Sequence, residues 1–522
     1  VDIVVADGRY GFIHGLARDV IHRHDDTRKT VSDFIDKVAL NRFLGIPIFL
    51  GVMYLVFMLT INIGGAFIDF FDIFTGTIFV DGLGKVLENI NFPLWLNTFI
   101  AGGIGGGIQT VSTFIPPIFF MFLSLSFLED SGYMSRAAFV MDRFMRFIGL
   151  PGKAFIPMLV GFGCNVPAIM ATRTLENNRD RILTILINPF MSCGARLPVY
   201  VLFATVFFPQ NGGFIVFSLY MVGILLAIFS GLLFKKTILK GETSTFVMEL
   251  PPYHIPTFNG IMSHTWEKLK SFIARAGQVI IIVVIILSFL NAIGTDGTFG
   301  NEDSENSVLS SIGKSLVPIF KPMGIKENNW PATVGLFTGI FAKEAVVGTL
   351  DNLYSSLDEK ENIEEEFDFW DGIVESFQSI GEGLSGISNT FGNPLGVNIE
   401  KDLSDKEKQA QNQEVNIGTF VEMQKRFGGK GAAYAYLLFI LLYVPCVATI
   451  AAIYRETNMK WTIFSVMYLT SIAWIIATLF YQISAFAVQP SVSFAWIVGL
   501  FITSFIIYYI LKIKSKNIKI SA

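Results

Sequence analysis

Apolar runs of membrane-spanning type recur through this chain, at residues 46–70, 114–128, 182–208, 214–234, 279–293, 434–454, 461–483 and 492–511. A bilayer demands roughly 20 apolar residues per helix, and only helices or closed barrels satisfy their own backbone in hydrocarbon. The chain therefore reads as an all-α polytopic membrane protein with about eight transmembrane helices. Composition agrees, since 52% of the 522 residues are hydrophobic, only 16% are charged and mean hydropathy is clearly positive. The lipid bilayer is the expected partner, and nucleic acid is not. A net charge of -4 says little; its distribution says more.

Two further apolar segments, 154–172 and 331–350, carry Gly, Pro and polar residues where a regular span would sit at mid-depth. Arg136, Arg143, Arg146 and Lys153 precede the first, and Arg173, Arg179 and Arg181 follow it. Because basic residues favour the cytoplasmic side, both flanks read as cytoplasmic, and the segment as re-entrant or broken. Counting onward puts the second segment's entry on the outside, so the two interrupted segments form an inverted repeat of gate-like modules. The sequence supports the repeat: "GFGCNVPAIMATRTL" precedes "SCGARLPVY" as "GIFAKEAVVGTLDNL" precedes "PCVATIAAIY". The spacings agree once a polar insertion near 358–431 is removed.

The resulting division is 1–42, a cytoplasmic helical remnant; 43–153, the first spans and an amphipathic helix; and 154–240, the first gate module. Next come 241–354, a connection and the start of the second module; 355–432, a polar insertion that reads as a flexible or helical surface loop; and 433–522, the end of that module and the last spans. The opening segment reads as the tail of a soluble domain, with His22 and His24 on a solvated surface in preference to a metal site. Both termini are expected in the cytoplasm. The stretch "AGGIGGGIQT" lacks the Lys-Ser or Lys-Thr of a phosphate-binding loop and reads as close helix packing or a hinge.

Interrupted apolar segments in two halves are the best sequence pointer to a midplane transport site, and polar groups there are presumed functional. All three cysteines, Cys164, Cys193 and Cys446, sit beside such breaks, with Asn165, Met191, Ser192 and Glu344 close in sequence. Pro167, Pro189, Pro198 and Pro445 would free carbonyls there. Thiol, thioether, carbonyl and carboxylate together suit a divalent transition metal rather than Mg²⁺ or Ca²⁺. Since thiols shed a proton on binding metal, uptake is expected to weaken as pH falls. Cysteine is also a common packing residue; Lys343 and Glu344 read as neutralising each other, or Lys343 as snorkelling, while Glu344 reads equally as touching the substrate path. Glu129 and Asp130 read as exit ligands or as caps of a following helix.

At these positions the chain resembles the bacterial ferrous iron transporter B family, membrane domain. The likeness rests on "ADGRYGFI", "LNRFLGIPIFL", "FLEDSGYMSRAAFVMDR", "FIPMLVGFGCNVPAIMATRTLENNRDR", "NPFMSCGARLPVY", "FAKEAVVGTL" and "YVPCVATIAAIYRET", and runs along nearly the whole chain. It implies a transporter, not an enzyme, importing Fe²⁺ across the cytoplasmic membrane, with no permanently bound cofactor. Family members begin with a GTP-binding domain and a helical linker; this sequence holds no G-x-x-x-x-G-K-[ST] motif. GTP and Mg²⁺ are thus expected only on a GTP-binding domain elsewhere in the protein or on a separate chain. The resemblance also implies a small cytoplasmic accessory protein and a possible homo-oligomer. Two rivals stand beside this reading: a gate-domain carrier of an organic solute such as a nucleoside, and a membrane scaffold or sensor without flux.

Overall fold

The computed structural model describes residues 13, 31–41, 43–241, 251–357, 368–390 and 416–514. His22, His24, most of the expected 1–42 remnant, parts of the polar insertion, and Lys516 and Lys519 lie outside the described residues. Among the described residues, regular structure is helical apart from isolated bridges joining Ile293 to Phe299 and Gly294 to Ser307.

A short helix α1 (Val31–Ala39) leads to two long spans, α2 (Gly45–Asn89) and α3 (Leu94–Asp130). Both outrun their apolar stretches; α2, at 45 residues, is about 67 Å long. Their polar residues pair with each other instead of ending the helices. Gln109 donates to Asp72 Oδ1 at 2.9 Å, and Asn97 donates to Glu88 Oε1 at 3.3 Å. Turns of π type at Leu59–Ile63, Thr77–Gly82 and Thr98–Gly105 absorb the irregularity.

The amphipathic α4 (Tyr133–Ile148) turns by 99° into α5 (Phe155–Gly163). Gly149 makes the turn with φ +95, a conformation that a side chain resists. Helix α6 (Asn165–Ala171) folds back on α5 as a hairpin. A broken span follows, α7 (Asn178–Ile187) and α8 (Leu197–Phe207), and then the unbroken α9 (Gly212–Lys236). After α10 (Phe258–Ala292) the series repeats: α11 (Val308–Phe320), then the hairpin of α12 (Trp330–Phe341) and α13 (Ala345–Ser355). Two inserted helices, α14 (Phe369–Thr390) and α15 (Ile417–Arg426), precede the second broken span, α16 (Lys430–Leu442) and α17 (Val447–Glu456). The chain closes with α18 (Met459–Ser484) and α19 (Pro490–Lys514).

Among the described residues, eight helical stretches are thus long and apolar enough to cross, as the hydropathy of the sequence predicts. The hairpins bracket three of them, α7–α8, α9 and α10. An odd number of crossings makes the hairpins enter from opposite faces. The broken spans are innermost: 72% and 78% of their apolar windows is buried in protein, against 11% for α19. Irregular backbone is thereby kept from lipid.

Small residues bring the helices close. A Cβ on Gly107 would come within 3.0 Å of Ile281 Cα, and one on Gly103 within 3.3 Å of Ile285 Cα, while Gly105 lies against the Phe79 carbonyl. The Gly-rich stretch is therefore a packing face. In the second hairpin a Cβ on Gly335 would meet Leu350 at 2.9 Å, and one on Gly339 would meet Val346 at 2.6 Å. Gly339→Val should cost about 1–3 kcal/mol by overpacking, read as a lower thermal midpoint in detergent.

Candidate functional site

Each half of the repeat supplies two breaks. Cys164 is extended (φ -151, ψ 131) between α5 and α6, and Ala342 (φ -141, ψ 120) leads the corresponding break before α13. Between α7 and α8 the chain runs through a turn at Asn188–Phe190 to an extended Cys193; between α16 and α17 it passes Tyr443 and Pro445 to Cys446. Pro189 and Pro445 lack the N–H that would carry a helix through. Pro167 and Pro198 lie in the first turns of α6 and α8, where no N–H is missed.

All four breaks open onto one cavity of about 710 Å³, lined by Cys164, Asn165, Cys193, Arg196, Glu344 and Cys446 among others. The three thiols are half-buried and unlinked. Cys446 Sγ lies 3.2 Å from Thr449 Oγ1. Asn165 is buried, and its Oδ1 finds no partner among the described residues. Two cations share the walls. Arg196 is fully buried and donates to Pro189 O at 3.3 Å; Lys343 donates to Val444 O at 3.1 Å and stands over the Tyr443 ring. No direct ion pair joins Lys343 to Glu344 among the described residues, although the two side chains still act on each other electrostatically. The lysine ties one break of the second half to the other.

The remaining expected site residues stand elsewhere. Met191 packs behind the wall beside Gly161, and Ser192 exchanges a 3.0 Å hydrogen bond with Tyr200. Glu129 and Asp130 end α3 rather than start a helix, which excludes the cap reading; Glu129 pairs with Lys268 at 3.0 Å. Neither lines the cavity. Sequence reasoning missed Thr60, which reaches the cavity from the π-turn of α2. The signal was there, in the polar Thr60 and Asn62 inside an apolar run. Among the described residues no three His, Cys, Asp or Glu side chains are close enough together to hold one ion.

Comparison with known families places this architecture. A model described as "Gate: Nucleoside recognition" matches residues 111–207 and 273–460, more than half of the chain, and one described as the C terminus of ferrous iron transport protein B matches 216–268. The Fe(2+) transporter FeoB of Legionella pneumophila is 46% identical over 96% of this chain and 65% of its own length. The chain belongs to the FeoB family, as a membrane domain. Other FeoB relatives agree: that of Escherichia coli K12 is 45% identical over 97% of the chain and 65% of its own length, and that of Shigella flexneri 46% over 95% and 63%. The chain thus spans about 65% of the FeoB proteins it matches. No solved structure matches it.

Proposed function

We propose that the cavity is a passage for Fe²⁺ through the bacterial cytoplasmic membrane, with Cys164, Cys193 and Cys446 as its core ligands and Asn165 and Glu344 as oxygen donors. One observation carries this reading: three thiols, each from a different helix break, face a single space beside a carboxylate. Sulfur favours a borderline ion over Mg²⁺, and Fe²⁺ binds weakly enough within its series to be released. Arg196 adds to this, because its buried positive charge opposes tight residence of a dication. The ion passes among ligands instead of resting in a closed cage. The relatives' printed name, Fe(2+) transporter FeoB, supports the choice of metal. The face bearing Arg136, Arg173, Arg181 and Arg455 is the cytoplasmic one by the charge rule, with both described ends on it. GTP and Mg²⁺ act on a GTP-binding domain beyond this sequence; a small accessory protein and self-association complete the expected assembly.

Anaerobic Fe²⁺ should slow alkylation of the three cysteines by N-ethylmaleimide at least about fivefold, while equal Mg²⁺ should not. Unchanged alkylation would remove the cysteines from the path. A second reading is favoured by the cavity's size: about 710 Å³ matches small organic ligands as well as a partly hydrated ion. A nucleoside-type solute would leave alkylation protected by the solute and indifferent to Fe²⁺.

A further inference from the structure

Below the main cavity lies a second, of about 30 Å³, lined by Arg173, Arg275, Arg455 and Glu456 together with apolar residues of α6, α10 and α17. Val166, Phe272 and Ala448 line both. These side chains are the layer that separates the two spaces, and they belong to a buried apolar cluster that also holds Ile169, Ala452 and Ile453, with Cys164 and Cys446 packed against it. In the other direction the main cavity reaches Thr205 and Gly212, where α8 ends and α9 begins, at the opposite face. The main cavity thus runs up to the α8–α9 turn toward one face and ends at a thin apolar layer toward the other.

The stopped side is locked across the repeat. Glu456, the last residue of α17, has a side chain only 2% exposed, yet it holds two guanidinium groups. Arg173 Nε donates to its Oε1 at 2.7 Å, and Arg181 Nη2 lies 3.2 Å from its Oε2 and also donates to the Glu456 carbonyl. Arg173 follows the first hairpin and Arg181 lies in the first turn of α7, so both come from the first half and Glu456 ends the second. Parting α6 from α17 would break these bonds.

We propose that Val166, Phe272 and Ala448 form the inner gate of the passage, and that Glu456, gripped by Arg173 and Arg181, is the lock that keeps it shut. The proposal rests on the cavity being a transport path, but its test uses no iron. The membrane-impermeant thiol reagent MTSET is applied to right-side-out and inverted vesicles carrying the whole chain, and the native cysteines left unmodified are then counted by the gel shift that PEG-maleimide gives after denaturation. Wild type should react at least about tenfold faster from the Thr205 face than from the Arg173 face. Glu456→Gln and Phe272→Ala should each raise the Arg173-face rate at least about tenfold and leave the Thr205-face rate unchanged, which also shows that they fold; Glu456→Asp should stay near wild type. Should Glu456→Gln not fold, Phe272→Ala still decides, because it leaves every ion pair in place. Equal wild-type rates from the two faces, or folded variants that keep the wild-type asymmetry, would overturn the gate. Asymmetric labelling without Fe²⁺ protection would instead retain the gate and discard the iron reading.

Discussion

Asp36→Ala should destabilise the protein by about 3 kcal/mol, the largest stability effect expected of a single exposed-face substitution here. The reason lies in Arg136, which is buried on α4 with a side chain 2% exposed. Its guanidinium takes both Asp36 oxygens, at 2.9 and 3.1 Å, and also donates to Gly132 O at 3.0 Å and Pro251 O at 2.5 Å. The Tyr253 ring lies 4.1 Å away, and the Tyr253 N–H donates to Ser32 on α1. One cation thereby pins α1, α4 and the segment entering α10. Removing the carboxylate strands a desolvated charge, a change that costs roughly 3–5 kcal/mol where nothing compensates. Two carbonyls and the ring remain, and Asp36 is itself partly exposed, so the lower end applies. Asp36→Leu combined with Arg136→Met should recover most of the loss, because an apolar pair needs no counter-charge. Thermal midpoints of the two variants beside wild type in detergent decide the matter; an Asp36→Ala protein that melts with wild type would make the cluster decorative.

That cluster shows what sequence could and could not convey. Eight spans were legible because hydropathy is a local property, and the glycines of 101–110 were readable as packing because only small residues allow such approach. The ends of α2 and α3 were not legible: Asp72 and Asn97 look like helix-breaking polarity until Gln109 and Glu88 are seen beside them. The breaks at Cys164, Cys193 and Cys446 announced themselves through flanking Pro and Gly. Which neighbours face the cavity did not, because one turn at Asn188–Phe190 decides that Cys193 and Arg196 line it and that Met191 and Ser192 stand behind. In the polar insertion, α14 packs on α2 through Phe377 and Phe70, rings 5.3 Å apart, a contact between segments remote in sequence. The Arg173–Glu456 bond is similarly hidden, since each partner alone reads as an ordinary surface charge.

The largest functional effect is expected at the thiols. Cys164→Ser, Cys193→Ser and Cys446→Ser should each lower anaerobic uptake of radiolabelled Fe²⁺ into proteoliposomes at least about tenfold, a loss of about 1.4 kcal/mol or more in the stabilisation each ligand gives the passing ion. Serine is nearly isosteric, so the breaks and their packing persist. At Cys446 the hydroxyl also keeps the hydrogen bond to Thr449, which isolates sulfur chemistry from structure. Met191→Leu supplies the contrast: the thioether lies behind the wall, and its loss should leave uptake within about twofold of wild type. If all three serine variants take up Fe²⁺ normally, the cysteines are packing residues and the ion passes on oxygen ligands alone; if Met191→Leu falls with them, the wall moves during transport far enough to bring its second layer into the path. A graded result, with Cys446 least affected, would place the ion nearer the first half of the repeat, where Cys164 and Cys193 contribute two thiols against one from the second half.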